Sequence, residues 1–149
     1  MSALQEGDYV PELYAYSSGK FLLTEWIEGY NLDQYQKAFA RVPENIIYDM
    51  FSTELQLVNS GYKDWDFKLS EHLIWTESGD VRRIDLGLCE PAGQLKDQFK
   101  RELKNRVEKA YTNDPDFIDE LLGAGIKVSV IEHVLLRFKQ REPRLVQLL

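Results

Sequence analysis

Residues 61–91 read GYKDWDFKLSEHLIWTESGDVRRIDLGLCEP, and they hold most of the chain's chemically suggestive side chains. Asp64, Asp66, Glu71 and His72 come first. An apolar run, Leu73-Ile74-Trp75, leads into Glu77-Ser78-Gly79-Asp80, then Val81-Arg82-Arg83-Ile84, and the stretch closes on Asp85-Leu86-Gly87. Two short strand-like runs around a Gly-containing turn predict a β-hairpin. Two plainer readings stand beside any chemical one. Asp64 and Asp66 are equally compatible with a solvated acidic loop, and Asp85 with a turn residue ending a strand, Gly87 then supplying positive φ.

Outward from this stretch the periodicity is mostly helical. Upstream, Pro43 suits a first helical position, Ile46, Ile47, Met50, Phe51, Leu55 and Val58 recur at helical spacing, and Gly61 is placed to end the helix. Asn31 with Gln34 forms a capping-box pattern for a shorter helix carrying Leu32, Tyr35 and Phe39. Before it, Val10 to Gly19 reads as a strand and turn, and Lys20 to Ile27 as a strand too continuously apolar for an exposed edge. Downstream, Gln94 to Tyr111 carries Leu95, Phe99, Leu103 and Val107 on one stripe. Asp114-Pro115 opens a helix with Phe117, Ile118, Leu121 and Leu122, and a last one runs from about Lys127 through Arg141 until Pro143 stops it. The class is α+β. Trp26, Trp65 and Trp75 are expected in the core or a cleft wall, and His133 at the surface or its boundary.

The 149 residues suit one domain with one core. No apolar run approaches the roughly 18 residues that span a bilayer, and the polar start, Met1 to Asp8, lacks signal-peptide features, so a cytoplasmic location and no membrane association are expected. A single cysteine, Cys89, excludes an internal disulfide and, with only two histidines, disfavours structural zinc. A net charge of −7 argues against general affinity for nucleic acid.

The 61–91 stretch resembles the catalytic-loop and metal-loop hairpin of the protein-kinase-like fold, and Ile84-Asp85-Leu86-Gly87 is similar to that family's Ile-Asp-Phe-Gly motif. The family has an Asn five positions after its catalytic Asp and thirteen before its metal Asp. Counting back from Asp85 puts His72 at the Asn and Phe67 at the Asp, so Asp66 fits if the loop holds one extra residue. Lipopolysaccharide-core kinases are similar in placing a His there. A second register aligns Leu69-Ser70-Glu71 with the Leu-Ser-Glu of RIO-type kinases, which puts Lys68 and Leu73 at the catalytic positions and implies a dead enzyme. VPELYAYSSGKFLLTEWIEGYNLDQY (10–35) is similar to the family's last N-lobe strands and hinge.

The resemblance implies Asp66 as catalytic base, Asp85 and His72 as magnesium ligands, Thr24 as the gatekeeper beside adenine, and the Glu25 C=O and Ile27 N–H as adenine-binding hinge groups. ATP and Mg²⁺ are the implied cofactors. Residues 1–149 are expected to form a single truncated kinase-like domain resembling a C-lobe, without the glycine-rich strands and lysine that cover the phosphates. Three functions compete: a phosphotransferase with weak or no activity alone, a pseudokinase-type module acting through a partner, and a helical adaptor unrelated to kinases. A protein partner or second copy of the chain is expected over the face an N-lobe would cover.

Overall fold

A computed structural model describes residues 9–147 and 149. The segment Met1 to Asp8, read above for signal features, lies outside the described residues. The elements in order are β1 (Leu13–Ser17), β2 (Phe21–Thr24), α1 (Leu32–Phe39), α2 (Ile46–Asn59), β3 (Tyr62–Asp64), β4 (Leu73–Trp75), β5 (Val81–Arg83), β6 (Cys89–Pro91), α3 (Lys96–Tyr111), α4 (Pro115–Gly123) and α5 (Val128–Val146). The strands form three antiparallel pairs, β1–β2, β3–β6 and β4–β5. The α+β class is as expected.

Helix α2 is the axis of the core. Ile46, Ile47, Met50, Phe51 and Leu55 are buried against Leu103 and Val107 of α3, Phe117 and Leu121 of α4, and Ile131, Val134, Leu135 and Phe138 of α5. Phe51 stacks on Phe117 with ring centroids 5.6 Å apart. At Asn31 the predicted capping box is complete: its side chain accepts the Gln34 N–H, and the Gln34 side chain accepts the Asn31 N–H. Asp114 caps α4, with Pro115 in its first turn.

Four expectations need correction. Pro43 lies before α2, whose N-cap is Asn45, because the Pro43 carbonyl is engaged by Ile46 N–H in a preceding turn. Pro143 lies inside α5 rather than ending it. A proline there removes one N–H and crowds the carbonyl four residues back, but Leu145, fully buried next to the last helical residue, docks the end of the helix. The run 20–27, expected as a buried strand, is a strand only over Phe21–Thr24 and is exposed: Phe21, Leu22 (56%) and Leu23 all face solvent among the described residues, because only two strands pair here. Trp26 (84%) and Trp65 are likewise exposed, while Trp75 is buried. His133 is at the surface, as expected.

Two of these pairs position the functional loops. In an antiparallel ladder the residues entering one strand lie beside those leaving its partner. The β3–β6 ladder, with Asp64 opposite Cys89, and the β4–β5 ladder, with Leu73 opposite Arg83, therefore hold the 65–72 and 84–88 loops at one edge.

Candidate active site

Asp85 sits on the loop leaving β5 with φ 57, the left-handed region that an Asp tolerates better than most residues. The positive φ expected at Gly87 is thus at Asp85 itself. The Asp85 side chain is 67% exposed, and its Oδ2 lies 3.5 Å from His72 Nε2. His72 is 2% exposed. Its Nδ1 accepts the Lys68 N–H at 3.4 Å, and its carbonyl accepts the Ile84 N–H at 2.9 Å. With Nδ1 acting as acceptor, the proton of the neutral ring is on Nε2, facing Asp85. The histidine therefore joins the two loops through its backbone and presents a donor to the exposed carboxylate.

Asp66 is on the first loop, its carboxylate partly exposed and 3.8 Å from Lys68 Nζ. Its N–H donates to Asp64 Oδ1 at 3.0 Å. Asp64 is no solvated loop residue. Its side chain is 1% exposed and its Oδ2 takes a 3.0 Å bond from Arg83 Nη2, itself 1% exposed. Removing either partner of such a buried pair leaves an uncompensated charge and costs about 3–5 kcal/mol. The neighbouring Cys89 thiol is pushed up to about 11 by burial, with Asp64 adding to the effect, so it is no nucleophile at neutral pH.

The expected hinge follows β2. Thr24 is half-buried and pairs opposite Leu13. The Glu25 N–H donates to Glu12 C=O at 2.7 Å, whereas its own carbonyl and the Ile27 N–H take no hydrogen bond among the described residues. These are the two backbone groups expected to face an adenine edge. The Glu25 carboxylate accepts the Glu12 N–H, which with Arg82 at 2.7 Å holds it below the usual carboxylate range. Arg82 belongs to β5, and Tyr30 exchanges backbone hydrogen bonds with Trp75 of β4. The hinge is thereby tied to the hairpin that carries Asp85. A cleft of about 450 Å³ opens between Glu28, Gly29 and Tyr30 on one side and Thr76, Glu77 and Ser78 on the other.

Among the described residues, no group of three or more His, Cys, Asp or Glu side chains is gathered to hold a metal. A magnesium site on a nucleotide does not require one, since that ion is commonly bound through one or two carboxylates plus the phosphates.

A family model described as the ABC1 atypical kinase-like domain matches residues 3–122. The chain belongs to this family. Among solved structures, the ABC1 domain is similar to WbdD in a co-crystal with the kinase inhibitor LY294002, at 15% identity and TM-score 0.49, covering 91% of this chain and 32% of that one. It is also similar to monomeric WbdD, at 16% identity and TM-score 0.47, covering 87% of this chain and 32% of that one. The ABC1 domain thus spans about a third of the length of these neighbours. Among curated proteins, none matches. The family sets aside the reading of a helical adaptor unrelated to kinases. No helix among the described residues is long and apolar enough to cross a membrane.

Sequence reasoning passed over Arg82 and Arg83. Consecutive arginines in a three-residue strand point to opposite faces, one here meeting the hinge and the other Asp64. The available signal was their place in an otherwise strand-like run beside the Asp85 motif.

Proposed function

We propose that this ABC1 domain is a nucleotide-binding, kinase-like phosphotransferase unit with weak or no turnover by itself, working in the cytoplasm. The observation that carries the reading is Asp85: an exposed carboxylate in a left-handed backbone conformation, 3.5 Å from a buried histidine that bonds the neighbouring loop. Asp85 fits a hard oxygen ligand for Mg²⁺ on ATP phosphates. His72, with its Nδ1 taken by the Lys68 N–H and its Nε2 proton toward Asp85, steadies that carboxylate beside the metal rather than ligating it. Bound Mg²⁺ would supply neutralisation of phosphate charge. Asp66 positions or deprotonates an acceptor hydroxyl, and the exposed Lys68 beside it offers a cation to phosphate oxygens. Thr24, the Glu25 carbonyl and the Ile27 N–H receive adenine.

Turnover is proposed to be slow because phosphoryl transfer depends on charge neutralisation, and electrostatic contributions of this kind are worth about 3 kcal/mol each. Lys68 is shared with Asp66 and with Glu71, 4.0 Å away. The test is thermal unfolding with ATP and Mg²⁺ or Mn²⁺. A ligand at 100-fold over its Kd adds about 2.7 kcal/mol, and Asp85→Asn should abolish that gain while leaving the ligand-free melting point unchanged. A wild-type chain with no metal-dependent gain would end the nucleotide reading.

One observation favours a second reading, a pseudokinase-type binding module. The β1–β2 hairpin presents Tyr14, Tyr16, Phe21, Leu22 and Leu23 to solvent among the described residues. Exposed apolar surface of this kind commonly marks an interface, and a protein partner or second copy of the chain would cover it in either reading.

A further inference from the structure

The proposed site leaves its most buried charges without a role. Asp64 closes β3 and Arg83 closes β5, and each stands two residues before the candidate carboxylate of its own loop, Asp66 or Asp85. The two Asp64 oxygens do different work: Oδ2 takes Arg83 Nη2 and Oδ1 takes the backbone N–H of Asp66, each at 3.0 Å. The Arg83 guanidinium lies over the Phe67 ring at 4.1 Å, and Phe67 adjoins Asp66 in sequence. Among the described residues its Nε and Nη1 have no hydrogen-bond partner, so Asp64 and the ring orient it. One residue beyond Arg83, the Ile84 N–H bonds the His72 carbonyl.

A buried ion pair is weak evidence for stability, because an apolar pair of similar volume often does as well. What it adds over an apolar pair is direction. We propose that Asp64 and Arg83 form a positioning clamp that sets the Asp66 loop against the Asp85 loop, fixing the separation of the two working carboxylates. The inference rests on the reading of Asp66 and Asp85 given above. Neither clamp residue touches substrate: Asp64 acts through the Asp66 backbone, and Arg83 through the strand leading to Asp85. Phe67 closes the clamp from the side, keeping water from competing for the pair.

The experiment compares wild type with Asp64→Leu/Arg83→Met, in which an apolar pair replaces the charges. It reads the melting point, amide hydrogen exchange at Asp66, Ile84 and along α2, and Mn²⁺·ATP affinity. The expected result is a melting point within a few degrees of wild type, unchanged α2 exchange, exchange at Asp66 and Ile84 at least tenfold faster, and affinity at least tenfold weaker. Unchanged exchange at Asp66 and Ile84, or faster exchange spread evenly through α2, overturns the clamp. If the double variant does not fold, Arg83→Lys carries the same readouts. It keeps the charge but loses the planar fork, and a threefold or greater rise at Asp66 and Ile84 with α2 unchanged is then expected, no rise overturning the proposal. A wild-type chain that does not bind Mn²⁺·ATP sinks the nucleotide reading alone, and the two loop amides still decide the clamp.

Discussion

Asp49 faces two demands at once. Its Oδ2 accepts the Trp75 indole N–H at 2.8 Å, and burial raises its pKa to about 6, partly offset by that bond and by Arg141. A carboxyl whose folded pKa exceeds its unfolded value binds more protons when folded, so stability falls as pH rises from about 4 to about 6 and stays low above that. The shift corresponds to about 3 kcal/mol of ionisation penalty at neutral pH. Asp49→Asn keeps an acceptor for Trp75 and removes the charge. Urea unfolding should therefore show the variant more stable than wild type by about 1–3 kcal/mol at pH 7.5, with the advantage shrinking toward pH 4. An advantage independent of pH would refute the assignment. Glu54 has the opposite sign. Burial alone would raise its pKa, but Arg106, Lys63 and Arg83 outweigh burial and lower it, so its contribution is lost as pH falls below the ordinary carboxylate range. The Asp49 comparison cancels that effect, since both chains carry Glu54.

At the scale of elements, the hinge side meets the hairpin at Gly29. A Cβ there would lie 2.3 Å from the Trp75 carbonyl oxygen and 2.8 Å from Ile74 Cγ2. The glycine is required by close approach, and Gly29→Ala must push β4 away from Tyr30 or break their paired backbone bonds. Gly61 is the contrasting case, with φ 89 and open space around its Cβ position, so Gly61→Ala costs backbone strain alone, about 1 kcal/mol. Gly29→Ala should cost more, about 1–3 kcal/mol. It should also weaken Mn²⁺·ATP binding where Gly61→Ala does not, a difference readable by urea titration and calorimetry on the same pair. Helix α1 offers a simpler test, because Asn31→Ala removes the acceptor for the Gln34 N–H and should cost about 1 kcal/mol in thermal unfolding. The starts of α1 and α4 were legible because capping is written in adjacent residues. The end of α5 was not, because what keeps the helix going past Pro143 is the burial of Leu145 in the core, a long-range contact.

Across the whole molecule, the core built on α2 includes no residue of the open β1–β2 hairpin. Substituting Phe21, Leu22 and Leu23 together by Ser should leave the melting point within a few degrees of wild type, since these side chains are already solvated among the described residues. If a second copy covers this face, light scattering should show concentration-dependent association of wild type that the triple variant loses. A melting point lowered by ten degrees or more would instead mean that the hairpin is packed in the folded chain.

By itself the sequence determined the α+β class, the position of α2 before the 61–91 hairpin, and the placement of His72 and Asp85 on loops that could meet. Helical and strand periodicities, caps and turns are local properties, and local physics fixes them. The kinase-like assignment came instead from the resemblance of the 61–91 and 10–35 motifs to a known family. Only the tertiary structure decided that Asp64 is buried on Arg83, that Arg82 ties the hinge to β5, that the positive φ belongs to Asp85, and that the β1–β2 strands are exposed. Each depends on which surface a side chain meets after the chain has turned back on itself. An apolar strand reads the same in sequence whether or not anything covers it, and an arginine shows its partner only once two strands have brought them to 3.0 Å.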